Sequence, residues 1–521
     1  MTASIETYYH TIRYLKPVQL YSRVLPKLPR RFERGAASPM RHAREDCWVA
    51  PLRRPNRRTG RFRFRFLNTE YEPRGWNDPF ATRLWRYNLH YFEAPEPGLI
   101  SQWIAENPVG EGTGWEPYPT SLRIVNWIKW LFENGAGYPE IESAAAASLA
   151  EQARHLRRNL EYRVLANHLL ANAKALVFAG AFFDGREAGE WLRTGLAILR
   201  RELPEQVLAD GAHFERSPMY HSLMLEDVLD LLNLAQTYPA AIAADTAGMW
   251  TETAGRMAAY LEAMCHPDGQ IAFFNDAAFA IAPPPAALFD YAARLGVRAQ
   301  PRALTSGYYR LEAEDTMCIF DAGPIGPDYQ PGHAHADTLS FELSHRRRRI
   351  LVNSGTSTYE LGPQRQWERS TAAHNTIAID GADQSEMWSS FRCGRRARAF
   401  DVHMEQAPAW ARIAAAHDGY TRLADPVIHR RSLQLAPGMV EIEDRLEGSG
   451  FHRAEISFYL HPAIDGNQVN IDLDKKFCRS VQHAEWYPEF GRAVENRRVT
   501  GVWAGYCPVT FKTRILLEDR A

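Results

Sequence analysis

The hydrophobic period of this chain changes near residue 300, and that change constrains its fold more than any single motif. From Trp76 to about Val297 apolar residues recur at helical spacing, interrupted by Gly, Pro and Asp signals. Leu122, Val125, Ile128 and Leu131 line one face of a segment that Thr120 or Ser121 can cap. Leu160–Phe183 reads as a further helix, as does Leu223–Gln236 with Leu225, Val228 and Leu232 on one stripe. Past Pro283-Pro284-Pro285 and the break at Gln300-Pro301, the segments become short and alternating. Ser432–Leu435 and Met439–Asp444 flank Ala436-Pro437-Gly438 as a hairpin, and alternation continues through Ala454–Leu460 and Val509–Leu517. The basic run His345–Arg349 reads as a solvated hairpin tip. The expected order is therefore α first, then β. A basic, aromatic arm spans 1–75, where Arg61–Phe66 alternates as a short strand. A helical toroid or bundle spans 76–299, and antiparallel β-structure of sandwich type spans 300–521.

With 521 residues the chain exceeds one ordinary core. Its net charge of -1 gives no global attraction to nucleic acid, so an acidic ligand must be recognised by a local patch. The six cysteines are scattered without a C-x-x-C, which fits neither a disulfide framework nor a zinc knuckle. The longest apolar run, Ala175–Phe183, is far short of a membrane span, so no transmembrane segment is expected. No signal-peptide core precedes Phe32, which points to the cytoplasm. The basic and aromatic residues at the start can also rest on a membrane surface. Nothing in the sequence fixes an oligomeric state.

Four stretches carry polar groups that packing alone does not ask for. In Gly332-His333-Ala334-His335-Ala336-Asp337, alternation would put His333 and His335 on one face with Asp337 beside them. Imidazoles so placed suit proton transfer, a metal, or simply hydrogen bonds to neighbours. Asn167 lies inside a predicted helix, where it serves chemistry or an inter-helix hydrogen bond. Asp210–His221 is a dense polar loop holding Glu215, Arg216, Tyr220 and His221. The fourth stretch runs from Asn353–Tyr359 to Arg369–Thr376, with His374 and Asn375 leading into a strand. Trp85, Tyr87, Tyr91, Trp115 and Tyr118 are candidates for stacking on a ligand along a cleft, although most aromatics must be core.

In N-H-L-L-A-N, D-G-A-H-F-E-R-S-P-M-Y-H, G-H-A-H-A-D-T-L-S-F and A-H-N-T-I, in that order, the chain resembles the heparinase II/III family of polysaccharide lyases. W-R-Y-N-L-H-Y-F and G-W-E-P-Y-P-T-S-L-R-I-V-N-W resemble members found among exopolysaccharide genes. The resemblance implies an incomplete (α/α) toroid followed by an antiparallel β-sandwich, with the site in the cleft between them. It also implies β-elimination on a uronic-acid-containing acidic polysaccharide. Asn167 would neutralise the substrate carboxylate with help from His168, Tyr220 would act as acid and base, and His333 as base. If Tyr220 is to be a base, a cation such as Arg216 or a histidine must lower its pKa. Glu215, Arg216, His221, Trp115 and Tyr118 are the expected substrate contacts.

Some members bind zinc through residues matching His335, His374 and Asn353. Asn353 stands where that set usually has aspartate, and an uncharged amide is a poorer ligand. Asn172 stands where relatives often have glutamate. Family analogy implies export, so a periplasmic location stays open. Two other function classes remain in view: a glycan-binding or assembly factor of exopolysaccharide synthesis on the same fold, and a hydrolase using metal-bound water.

Overall fold

The change of period is the boundary between two halves of the molecule. The computed structural model describes residues 4–24, 39–464 and 468–517; the basic run from Lys27 to Arg34 lies outside them. The arm contributes α1 (Ile5–Ile12), α2 (Pro17–Val24) and the hairpin β1 (Phe64–Phe66) and β2 (Thr69–Tyr71). The helical body follows as α3 (Arg83–Tyr91), α4 (Pro97–Glu106), α5 (Pro117–Asn134), α6 (Pro139–Arg158), α7 (Ala166–Phe182), α8 (Arg186–Gln206), α9 (Pro218–Thr237), α10 (Ala244–Ala263) and α11 (Pro285–Arg294). Helices α4, α5, α6, α9 and α11 each open on a proline, whose fixed φ and missing N–H suit a first turn.

Two sequence expectations shift here. Thr120 and Ser121 do not cap α5; their hydroxyls donate to Gly114 O (3.1 Å) and Pro117 O (2.8 Å) within a helix that has already begun. The segment expected to start at Leu160 becomes helical only at Ala166, because Leu165 and Ala166 take left-handed φ values of 66° and 49°. The chain thus turns sharply just before Asn167 and places it in the first helical turn, not the middle. The asparagine buried in mid-helix is Asn172, which bonds Glu161 N–H and Ser121.

The second half is β3 (Tyr308–Ala313), β4 (Thr316–Asp321), β5 (Phe341–His345), β6 (Arg348–Leu351), α12 (Pro363–Glu368), β7 (Ile377–Ile379), β8 (Met387–Trp388) and β9 (Arg392–Cys393). It continues with β10 (Ala399–Ala407), β11 (Trp410–His417), β12 (Val427–Ala436), β13 (Met439–Gly448), β14 (Phe451–Leu460), β15 (Val469–Asp472), β16 (Cys478–Glu489), β17 (Arg492–Tyr506) and β18 (Val509–Leu517). One sheet runs β10-β11-β12-β13-β18-β15; the other runs β16-β17-β14-β6-β5-β4-β3, with β7 beside β14, and every pairing is antiparallel. Strict alternation along β12 sends Leu433 and Leu435 inward, where they share a core with Phe341, Leu343 and Phe458 of the facing sheet. The expected hairpin at Pro437-Gly438 is present, with Ala436 opposite Met439.

The His345–Arg349 run does turn between β5 and β6, but Arg349 is not solvated. It is buried and grips Asp268 at 2.7 Å, tying the sheet to the loop after α10. Helices α7 and α8 cross through two glycines. A Cβ on Gly180 would lie 2.4 Å from Leu192 N, and one on Gly195 would lie 2.6 Å from Ala173 O. Gly195→Ala is expected to cost about 1–3 kcal/mol in urea unfolding despite alanine's better helix propensity. An unchanged or higher midpoint would contradict the close crossing that sets the position of α7.

Candidate active site

A buried carboxylate organises the cleft between the two halves. Asp276 follows α10 beside Asn275 in a run that is otherwise apolar, and its side chain has no solvent exposure. Both terminal guanidinium nitrogens of Arg365, from α12, hold it, Nη2 at 2.8 Å from Oδ2. His333 Nδ1 lies 2.9 Å from Oδ2, and His335 Nε2 lies 2.9 Å from Oδ1. Burial opposes the charge on Asp276, but Arg365 and the two imidazoles hold its pKa well below the usual carboxylate range. An ionised carboxylate accepts only, so His333 carries its proton on Nδ1 and leaves Nε2 as the basic nitrogen. The backbone is pinned at the same place, with Asp276 N–H donating to His333 O at 2.9 Å.

The His333 ring stacks on Tyr220, centroids 3.8 Å apart, and His333 Nε2 lies 3.5 Å from Glu215 Oε2. The Tyr220 hydroxyl is 3.0 Å from that of Tyr359. Ser217 caps α9 by accepting Tyr220 N–H at 3.1 Å, and its own hydroxyl donates to Asp276 O, so the helix start that aims Tyr220 is tied to the carboxylate's own residue. Burial, then Tyr359, push the Tyr220 phenol well above its ordinary pKa, so it is a proton donor at neutral pH. Burial also raises Glu215, against the pull of His333.

Across the cleft, Asn167 and His168 occupy the first turn of α7, at the positive end of its dipole. The His168 ring meets that of Tyr118 at a tilt, centroids 4.4 Å apart, and its Nδ1 is 3.1 Å from Glu161 Oε1. Burial works against the charged imidazole, but Glu161 outweighs it and the His168 pKa is raised; that of Glu161 is lowered against its own burial. Asn167, His168, Tyr118, Tyr220, His333 and Tyr359 all line one cleft of about 530 Å³. Its three arginines, 57, 83 and 163, are balanced by Glu93, Glu161, Glu360 and Glu489, so it carries no dense cationic field. Arg83 is itself held by Glu116.

Other expected site residues sit elsewhere. His221 is buried behind the cleft: its Nε2 faces Met257 O at 2.9 Å, its Nδ1 accepts His213 N–H at 3.2 Å, and burial drops its pKa to about 4. It is a structural imidazole. Arg216 has φ of 60°, and its guanidinium approaches Gly323 beside Asp321 instead of the cleft, so it cannot acidify Tyr220 by contact. Glu215 reaches His333 but does not line the cleft. Trp115 is core, donating to Asn107 O at 3.3 Å and borders a smaller neighbouring pocket. Trp85 is likewise buried, whereas Tyr87 and Tyr91 do line the cleft.

His335 and His374 meet at 3.2 Å, Nδ1 to Nε2. His335 directs Nε2–H at Asp276, and His374 directs Nδ1–H at Ser370 O (2.8 Å), so two lone pairs face each other. Burial lowers both, His335 to about 3. Zinc–nitrogen bonds of about 2.0–2.1 Å at tetrahedral angles separate two nitrogens by roughly 3.3 Å, so the pair fits a metal edge. Asn353 adds no charge, and its Oδ1 is 3.4 Å from Asn375 N–H. Among the described residues no three His, Cys, Asp or Glu side chains form a metal-binding group.

Sequence reasoning missed Asp276, Arg365 and the role of Tyr359. The signal for the first was present: Ile271-Ala272-Phe273-Phe274-Asn275-Asp276-Ala277-Ala278-Phe279 buries two polar residues in an apolar run. Asn275, at φ 55°, bonds His335 N–H through its side-chain oxygen at 2.8 Å and Arg216 O through its amide at 3.0 Å.

Comparison with known proteins bears on this arrangement. A model described as heparinase II/III N-terminus matches residues 99–282, and one described as heparinase II/III-like, C-terminal, matches 296–503. A heparin-sulfate lyase of Bacteroides stercoris is 28% identical over 255 residues, which is 43% of this chain and 37% of that protein. One from Pedobacter heparinus is 26% identical over 322 residues, 54% of this chain and 47% of that protein. The chain spans about half the length, or less, of these two relatives. A crystal structure of heparinase III superposes with a TM-score of 0.68 at 20% identity, over 87% of this chain and 81% of that one; the likeness is one of fold, a helical toroid followed by a β-sandwich.

Two outcomes follow from the geometry. Asp276→Asn leaves Arg365 buried without its anion and is expected to cost about 3–5 kcal/mol in chemical unfolding; a loss under about 1 kcal/mol would deny the carboxylate its organising role. The stabilisation from His168–Glu161 should be full between about pH 4.5 and 6.5. It should fade as pH rises through the raised His168 value or falls through the lowered Glu161 value. The Tm gap between wild type and His168→Gln, followed across pH, checks this; a gap that widens above neutrality contradicts it.

Proposed function

This chain belongs to the heparinase II/III family, and we propose that it cleaves a uronic-acid-containing acidic polysaccharide by β-elimination. The observation that carries this reading is the meeting of Asn167, Tyr220 and His333 in one cleft, with Asp276 fixing the His333 tautomer. The proton at C5 of a uronate is acidic enough to remove only when the adjacent carboxylate's charge is masked. Asn167 and a protonated His168, at the start of α7, do that. His333 Nε2 takes the C5 proton; Asp276 on one side and Glu215 on the other stabilise the imidazolium that results. The electrons of the C5–H bond form the C4–C5 double bond as the C4–O bond breaks. The departing oxygen takes its proton from Tyr220, which Tyr359 can replenish through the contact between their hydroxyls. The raised pKa of Tyr220 favours this acid role over one as base.

The near-balance of arginines and carboxylates along the cleft supports a polymer with isolated carboxylates, such as an acidic exopolysaccharide, over a densely sulfated one. A zinc ion, if held, would sit between His335 and His374 and brace the loop that carries His333; no step of the elimination needs it.

Ultraviolet absorbance tests the reaction class, because the new double bond is conjugated to the carboxylate. With a panel of uronate polysaccharides, wild type should produce the signal and Tyr220→Phe should lose about 10²–10⁴ of the rate with the fold retained. A Phe variant of undiminished rate would remove Tyr220 from the chemistry. Binding of glycans without any signal would instead favour an assembly factor. Chelation is expected to lower Tm reversibly in wild type but not in His374→Ala; an unaltered wild-type Tm would mean that the histidines share a proton.

A further inference from the structure

Two hairpin tips meet over the cleft. In the arm, β1 and β2 are joined by Leu67-Asn68, and in the sandwich, β16 and β17 are joined by Phe490-Gly491, each a two-residue connection. Asn68 Nδ2 donates to Phe490 O at 3.0 Å and to Glu489 Oε2 at 3.0 Å. The approach is close enough that a Cβ on Gly491 would lie 2.3 Å from Leu67 O. Leu67 and Asn68 hold φ of 53° and 57°, as a tight hairpin of this kind requires, and leucine adopts that conformation only at a cost. The sandwich tip is anchored from behind as well: Phe279 N–H donates to Pro488 O at 2.7 Å, and Gly491 N–H to Ser357 O at 2.9 Å. Residues 64–71 precede the span 99–282 that matches the family's N-terminal model.

The junction stands beside the reacting groups. Tyr220 touches Tyr359 through their hydroxyls, the Tyr359 ring meets Phe490 edge-on at 4.9 Å, and Phe490 O is where Asn68 docks. Phe66, Leu67, Asn68, Glu489 and Phe490 therefore form a continuous wall of the cleft, from the helical half to the β half, one aromatic ring beyond the Tyr220–His333 pair. These residues bound the cleft on that side.

We propose that the Leu67-Asn68 strap, closed on Phe490-Gly491, makes the cleft blind on one side and confines the protein to the ends of its polysaccharide, releasing short products one after another. This rests on the elimination reading for the chemistry, but the geometry of end binding does not.

The test uses the full chain and has two arms. With an acidic polysaccharide that wild type cleaves, short unsaturated products should dominate from the first few per cent of conversion while viscosity barely falls. Asn68→Ala and Gly491→Ala, which open the junction from opposite sides, should each raise the viscosity loss at equal conversion several-fold. A wild type whose viscosity collapses early overturns the proposal, as do variants with an unchanged product profile and a native Tm. In the second arm, Tyr220→Phe is titrated with size-fractionated polygalacturonate. Stoichiometry should stay at one protein per chain end as length grows; stoichiometry rising with length overturns the proposal even if no polysaccharide is cleaved. Absence of absorbance with end-limited binding would remove the elimination and leave the strap's role standing.

Discussion

The structure depends on one carboxylate kept ionised where water does not reach. Burying an unpaired anion costs several kcal/mol, so Asp276 is tolerable only because Arg365, His333 and His335 converge on it from the β half while its own backbone belongs to the loop after α10. One interaction thereby joins the two halves, fixes the tautomer of His333 and orders the loop from His333 to Asp337. The cleft is a consequence of that joint. Its floor is the contact between halves, and its walls are the residues those halves leave facing each other.

Burial acts on the site in opposite directions for different groups. It drives the Tyr220 phenol away from ionisation and so keeps its proton in place. For His168 burial is overcome by Glu161, so the charged form of the imidazole is favoured beside Asn167. Neighbours, not residue type, thus set the protonation preference on each side of one cleft. The strap built from the arm adds a third element. It lines the cleft beside Phe490, whose ring meets Tyr359.

The α-then-β order and the β12–β13 hairpin were legible, because each is written locally in period or turn signal, whereas the meeting of Asn167, Tyr220 and His333 in one cleft was implied only by the family resemblance. What was not legible depends on distant partners. His221 resembles a site residue until Met257 and His213 are seen to occupy both of its nitrogens. Arg216 sits next to Glu215 in sequence, but its positive φ turns the chain so that the guanidinium leaves the cleft. The start of α7 was misjudged because left-handed Leu165 and Ala166 have no compositional mark; neither is Gly or Asn. Asp276 was the costliest omission, although an acidic residue inside an apolar nonapeptide always demands a partner. Trp115 shows the reverse error, an aromatic in a polar motif that is core.

Elimination through His333 and Tyr220 leaves a different chemical mark at the cleaved bond from attack of water. Mass spectrometry of products formed in heavy-oxygen water tests it most directly. The account predicts unsaturated products with no solvent oxygen in either new end. Heavy oxygen incorporated stoichiometrically at the cleaved bond, with no unsaturation, would contradict it.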